Sequence, residues 1–202
     1  EYPVAADVVI GVPDSGLDAA MGYAEESGIP YGTGLVKNRY VGRTFITPGQ
    51  QSREQAVRIK LGALRSCVQG RRVVMIDDSI VRGTQLRETT EFLYASGAKE
   101  VHVRPACPPL LFGCKYLNFS RSSSEMELIT RRVIRELEGC DPDYDTLCEY
   151  ADPDNEKYQK MVDRICELQH FTSLRYHRLD DLVESVGIEP ECLCTYCWNG
   201  RE

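Results

Sequence analysis

Residues 73–76, Val-Val-Met-Ile, form an apolar run that stops abruptly at Asp77-Asp78 and continues into Ser79-Ile80-Val81-Arg82-Gly83-Thr84. The run has the β-branched and long apolar side chains of a strand. A strand that ends in two acids delivers both carboxylates at its carboxyl end. The turn after it holds Gly83 and two hydroxyl residues, and it can aim backbone N–H groups at an anion. A helix starting near Thr84 would add its positive end. Few folds place a strand, paired acids, a glycine-bearing turn and a helix in that order.

The surrounding pattern narrows the choice. Residues 7–12 (DVVIGV) read as a buried strand, and residues 17–26 as a helix that Gly28 and Pro30 close. Residues 31–36 read as a second strand. Residues 38–51 have no period and read as a loop. At 14 residues this loop is long for a compact domain, as binding loops and lids are. Residues 53–64 read as a helix, 86–95 as a helix ending at Gly97, and 101–106 as a strand. Strands and helices alternating at crossover spacing predict an α/β fold, a mostly parallel sheet flanked by helices. Ligands of such sheets bind at the carboxyl ends of the strands. Two segments fall there: Pro13-Asp14-Ser15-Gly16 and residues 77–84.

Beyond Pro108-Pro109 the signal weakens. Residues 125–137, 156–169 and 179–186 read as helices, and 139–155 as an acidic, turn-rich stretch. The expected organisation is a domain over residues 1–138 and a mainly helical, cysteine-containing extension over 139–202. The chain opens on Glu1 rather than Met and reaches an apolar run almost at once, so further sequence is expected upstream.

Charge limits the partners. The net charge is −7, which argues against nucleic acid. Residues 37–87 nevertheless hold 11 Lys and Arg against 3 Asp and Glu, a local +8 that leaves −15 for the remainder. A basic middle in an acidic chain suits a small polyanion, while a solvated helix surface would be the plainer source of such charge. No run of about 18 apolar residues predicts a membrane span, and no segment reads as a signal peptide. The expected compartment is the cytoplasm.

A strand ending in Asp also occurs beside a phosphate loop of the GxxxxGK[ST] type, and the sequence has no such loop. An acidic pair can cap a helix, but Ser79 or Thr84 would cap without two carboxylates. Residues 73–85 instead resemble the signature of the type I phosphoribosyltransferases. Three further segments, DVVIGVPDS (7–15), KNRYVGRTFI (37–46) and CTYC (194–197), resemble the glutamine phosphoribosylpyrophosphate amidotransferase family. The likeness is close over about 7–104, looser to about 137, and returns at the final cysteines.

That resemblance implies a type I phosphoribosyltransferase fold and the first committed step of purine synthesis. Ammonia, released from glutamine by a glutaminase domain upstream, displaces pyrophosphate from C1 of 5-phosphoribosyl 1-pyrophosphate and gives phosphoribosylamine. It also implies roles. Asp77 and Asp78 would face the ribose hydroxyls and a Mg²⁺ ion, with Ser15 as the third metal-side position. Asp14 and Ser15 would lie by the pyrophosphate. Ser79, Ile80, Val81, Arg82, Gly83 and Thr84 would hold the 5′-phosphate. Residues 37–51 would close as a lid, with Lys37 and Arg39 meeting pyrophosphate and Tyr40 and Phe45 shutting out water. Purine nucleotides as inhibitors and a homo-oligomer are implied as well. A different type I phosphoribosyltransferase, or a regulator that senses the same donor, stays open as an alternative.

The nine cysteines are an odd number, and eight lie beyond residue 100, so a disulfide framework is not expected. A CxxC pair alone suits zinc, an iron–sulfur cluster or redox chemistry. By resemblance Cys114, Cys194 and Cys197 match three ligands of a structural [4Fe–4S] cluster, the fourth lying upstream of Glu1. Zinc, with Cys192 as an added ligand, is the other option. Cys140, Cys148 and Cys166 match no role, and Trp198 reads as packing.

Overall fold

The computed structural model describes residues 2–38, 61–116 and 125–201. These divide into two compact units. One comprises residues up to Asp77 together with Gln85–Val103, and the other comprises Asp78–Thr84 together with Arg104 onward.

In the first unit, strand β1 (Val8–Gly11) is buried along its whole length. Helix α1 (Leu17–Ser27) follows, and Gly28 closes it at φ 70°, in the left-handed conformation that residues with a Cβ avoid. Strands β2 (Leu35–Lys37) and β3 (Leu61–Ala63) pair antiparallel as a separate ribbon, Leu35 opposite Ala63 and Lys37 opposite Leu61. A short helix α2 (Arg65–Val68) leads to β4 (Arg72–Asp77), whose last five residues are buried. Helix α3 (Thr84–Ala95) and strand β5 (Glu100–Pro105) complete the alternation. Strand β1 runs parallel to β4, Val8 opposite Val73 and Gly11 opposite Ile76, and β5 is the next neighbour. Helix α1 covers β1 and β4. Val9, Ala20, Ala24, Val74 and Ile76 make the shared core, with Tyr23 and Ile29 packed at its edge. The expected α/β architecture is present.

Two expectations need correction. The stretch 31–36 is not one strand: Tyr31 makes a lone parallel bridge to Val9, and β2 begins only at Leu35, in the separate ribbon with β3. The helix expected over 53–64 does not reach its end, because residues 61–63 are β3, held by pairing with β2. Residues 53–60, and the loop from 39 to 51, lie outside the described residues.

The second unit is mainly helical. A 3₁₀ turn (Glu125–Glu127) enters helix α4 (Ile129–Glu138), which buries Ile129, Thr130, Val133 and Ile134. Helix α5 (Tyr144–Ala151) follows, and helix α6 (Glu156–Leu168) packs against both α4 and α5, contributing Tyr158, Met161, Val162 and Ile165 to the core. Helix α5 falls in the stretch expected to be turns. Its cap explains it: the Asp143 carboxylate accepts from the Thr146 N–H at 2.8 Å, and Leu147 and Tyr150 are buried. The two-residue strand β6 (Ser173–Leu174), helix α7 (Leu179–Val186) and a last turn α8 (Tyr196–Asn199) follow. No described helix is long and apolar enough to cross a membrane.

Candidate functional site

In the first unit the loop 12–16 is drawn against the end of β4. Val12 N–H donates to the Ile76 carbonyl at 2.8 Å, and Gly16 N–H donates back to the Val12 carbonyl at 2.9 Å. The Pro13–Asp14 peptide is cis. Gly16 makes the approach possible. A Cβ there would land on the Ile76 carbonyl oxygen and sit 3.0 Å from both the Asp77 Cα and the Val12 nitrogen. The result brings two expected site residues together: Ser15 Oγ donates to Asp77 Oδ1 at 3.5 Å, although 62 positions separate them. Asp77 is 5% exposed, a buried carboxylate at a strand end. Lys37, at the end of β2, donates to Asp14 Oδ2 at 2.6 Å. That pair is largely exposed, so it adds little stability, but it sets a cation beside the loop that carries Ser15. Asp7, at the opposite end of β1, serves structure instead. Its carboxylate takes the Arg72 backbone N–H at 2.8 Å and the Arg72 guanidinium at 2.8 and 3.2 Å. The guanidinium holds its carboxyl far below the usual range.

The second unit contains the loop after the acids. Ser79 N–H is taken by the Asp78 carboxylate at 2.8 Å. Ile80 is buried, so its side chain anchors the loop rather than meeting a ligand. Arg82 makes an ion pair with Glu127. Gly83 is buried at φ 80°. Three residues that sequence reasoning passed over hold this loop from behind. Ile129 N–H donates to the Val81 carbonyl at 2.9 Å, and Arg132 Nη2 donates to the Arg82 carbonyl at 2.7 Å. A Cβ on Gly83 would come within 2.6 Å of Ile129 Cδ1 and 2.7 Å of Gln169 Nε2. The expected lid residues Arg39 and Tyr40, and Phe45 with them, lie outside the described residues.

The cysteine expectation has partial geometry. Leu111 and Phe112 N–H groups donate to the Cys197 carbonyl at 2.9 and 3.1 Å, tying the final turn to the segment that carries Cys114. Burial, with Cys114 and Cys194 nearby, pushes the Cys197 thiol up to about 12. None of the nine cysteines is in a disulfide, and among the described residues no group of three His, Cys, Asp or Glu is drawn together closely enough to hold a metal ion. Trp198 is half-buried, as a packing residue would be.

A parallel α/β sheet, a loop seated on a strand end by a glycine, and a buried strand-end acid define a class. The phosphoribosyl transferase domain model matches residues 1–107. The chain belongs to that family, with the type I phosphoribosyltransferase fold. Within it, the resemblance is to amidophosphoribosyltransferases. The enzyme of Methanothermobacter thermautotrophicus is 42% identical over 202 residues, covering 99% of this chain and 36% of its own length. That of Bacillus subtilis is 60% identical over 137 residues, 68% of this chain and 29% of its own. The solved structure of Bacillus subtilis glutamine phosphoribosylpyrophosphate amidotransferase, complexed with ADP and GMP, superposes with a TM-score of 0.75 at 40% identity. It covers 100% of this chain and 39% of that one. The chain thus spans about a third of the length of these relatives.

Proposed function

We propose that this chain carries the phosphoribosyl-transfer site of an amidophosphoribosyltransferase. Ammonia adds to C1 of 5-phosphoribosyl 1-pyrophosphate, the C1–O bond to pyrophosphate breaks, and a proton leaves the nitrogen to give 5-phosphoribosylamine. Glutamine is the ammonia source through a glutaminase domain of the kind the relatives' greater length accommodates. The transition state is cationic at C1 and anionic at the leaving group, so the site's task is electrostatic stabilisation and exclusion of water.

The observation that carries this reading is the Ser15–Asp77 pair, a hydroxyl and a buried carboxylate 3.5 Å apart at a strand end. Both are hard oxygen donors of the kind Mg²⁺ takes, and with Asp78 they would hold it. When bound, Mg²⁺ neutralises charge on the departing pyrophosphate. Asp77 and Asp78 orient the ribose hydroxyls, Asp14 and Lys37 flank the pyrophosphate, and the backbone of residues 79–84 receives the 5′-phosphate. The resemblance assigns Cys114, Cys194 and Cys197 to a [4Fe–4S] cluster; these thiols are not gathered into a metal site here and would have to draw together to hold it. The expected setting is cytoplasmic, in a homo-oligomer, with purine nucleotides as inhibitors.

The test measures phosphoribosylamine formation from the donor with added ammonia. Asp77→Asn is expected to lose at least about 100-fold in rate while its melting temperature holds. Parent-level turnover in that variant would refute the assignment. Turnover with a free purine base and not with ammonia would point to a salvage enzyme. Tight donor binding with no acceptor at all would point to a sensing regulator.

A further inference from the structure

The loop 78–84 belongs with α4 and Gln169, not with the strand it follows. Two of its consecutive carbonyls are occupied on that side: Val81 by the Ile129 N–H at the start of α4, and Arg82 by the Arg132 guanidinium. In a trans peptide the N–H points opposite to the C=O. Neither the 81–82 nor the 82–83 peptide is cis. The Arg82 and Gly83 N–H groups therefore point away from α4, side by side. Gly83 at φ 80° adopts the left-handed conformation with which successive N–H groups form an anion-binding concavity. Gly83 also seats the loop against Ile129 and Gln169 too closely for any side chain at that position.

We infer that Arg132 is a positioning residue for the 5′-phosphate: by holding the Arg82 carbonyl it fixes the direction of the Gly83 N–H and so the affinity for the phosphoribosyl phosphate group. This inference rests on the function proposed above. Arg132 is exposed, and its guanidinium donates to the Arg82 carbonyl while the Arg82 side chain pairs with Glu127. Arg135, one turn on in α4, is turned elsewhere and pairs with Asp141 at 3.3 Å.

The experiment titrates the chain with ribose 5-phosphate and, separately, with Mg²⁺–pyrophosphate, by calorimetry or by phosphorus NMR. Arg132→Ala is expected to weaken ribose 5-phosphate roughly tenfold, as loss of a charge-assisted hydrogen bond would. Pyrophosphate affinity is expected to stay within about twofold, since that ligand is assigned to the Ser15 loop. Arg132→Lys is expected to recover most of the loss, because a single donor suffices for one carbonyl. Equal ribose 5-phosphate affinity in the parent and Arg132→Ala would overturn the inference. Parallel weakening of both ligands would overturn it too, marking Arg132 as a purely structural residue. A parent chain that binds neither ligand would instead sink the functional reading on which this one rests.

Discussion

Gly16 and Gly22 lie six residues apart, and the same substitution should have opposite effects at the two. At Gly16 the backbone φ of −85° would suit alanine, so no conformational penalty arises. The cost comes from contact. The added Cβ would meet the Ile76 carbonyl oxygen and lie 3.0 Å from the Asp77 Cα, all backbone atoms with no rotamer to yield. Carbon atoms prefer about 3.5–4.0 Å, so the loop must retreat by about half an ångström or more. Overpacking of this kind costs about 1–3 kcal/mol. The adjacent Ser15 hydroxyl is already 3.5 Å from Asp77, at the limit of a hydrogen bond, and such a retreat breaks it. A misplacement near 1 Å can cost about 10²-fold in rate. At Gly22, in the middle of α1, nothing lies within 4 Å of the added methyl. Alanine there should stabilise by about 0.5–1 kcal/mol and leave turnover alone. The single tryptophan, Trp198, belongs to the second unit, whereas backbone circular dichroism follows both. Urea unfolding should therefore be followed by circular dichroism. With a slope of about 2 kcal/mol per molar, a 2 kcal/mol loss lowers the midpoint by about 1 M. If Gly16→Ala matched the parent in both midpoint and ammonia-dependent turnover, the close approach of loop and strand would not be what builds the site.

Two more outcomes are expected. Asp7→Asn should lower the melting temperature at neutral pH. The folded pKa of Asp7 is depressed, chiefly by the Arg72 hydrogen bond, so its contribution is present above the ordinary carboxylate value near 4 and lost as pH falls through the folded value. The gap between parent and variant should close in acid, and a gap that stayed constant down to pH 2 would contradict this. Anaerobic reconstitution with iron and sulfide should load iron in a manner that depends on Cys114 but not on Cys140, which is exposed and matches no ligand position. A colourless protein holding one zinc per chain would replace the cluster with a zinc site.

The strand 73–76, the helix after residue 17 and its closing Gly28 were legible because their signals are local: an apolar run, a helical period, a left-handed glycine. The same holds for Asp77, which the end of that run singles out. Strand β3 has no such signal. Three residues, one of them Gly62, are strand only because Leu35–Lys37 lies alongside. Helix α5 was hidden by its composition. Asp143, Asp145 and Asp152 suggest turns, yet the first of them caps the helix, and only Leu147 and Tyr150 record its buried face. Ile129, Arg132 and Gln169 lie 48, 50 and 86 positions from the carbonyls and the glycine they hold, counting from Val81, Arg82 and Gly83. Nothing periodic links such partners, so only the folded chain reveals them.

The family match ends at residue 107, which makes a tempting place to cut. A chain truncated there would keep Asp77 on its strand and Ser15 beside it. It would lose Ile129, Arg132 and Gln169, and with them the contacts that orient the 82 and 83 amides. The loop that carries the family-like signature is thus held in shape by residues beyond the family match. A minimal domain drawn from sequence likeness alone would retain the acids and give up the phosphate's seat.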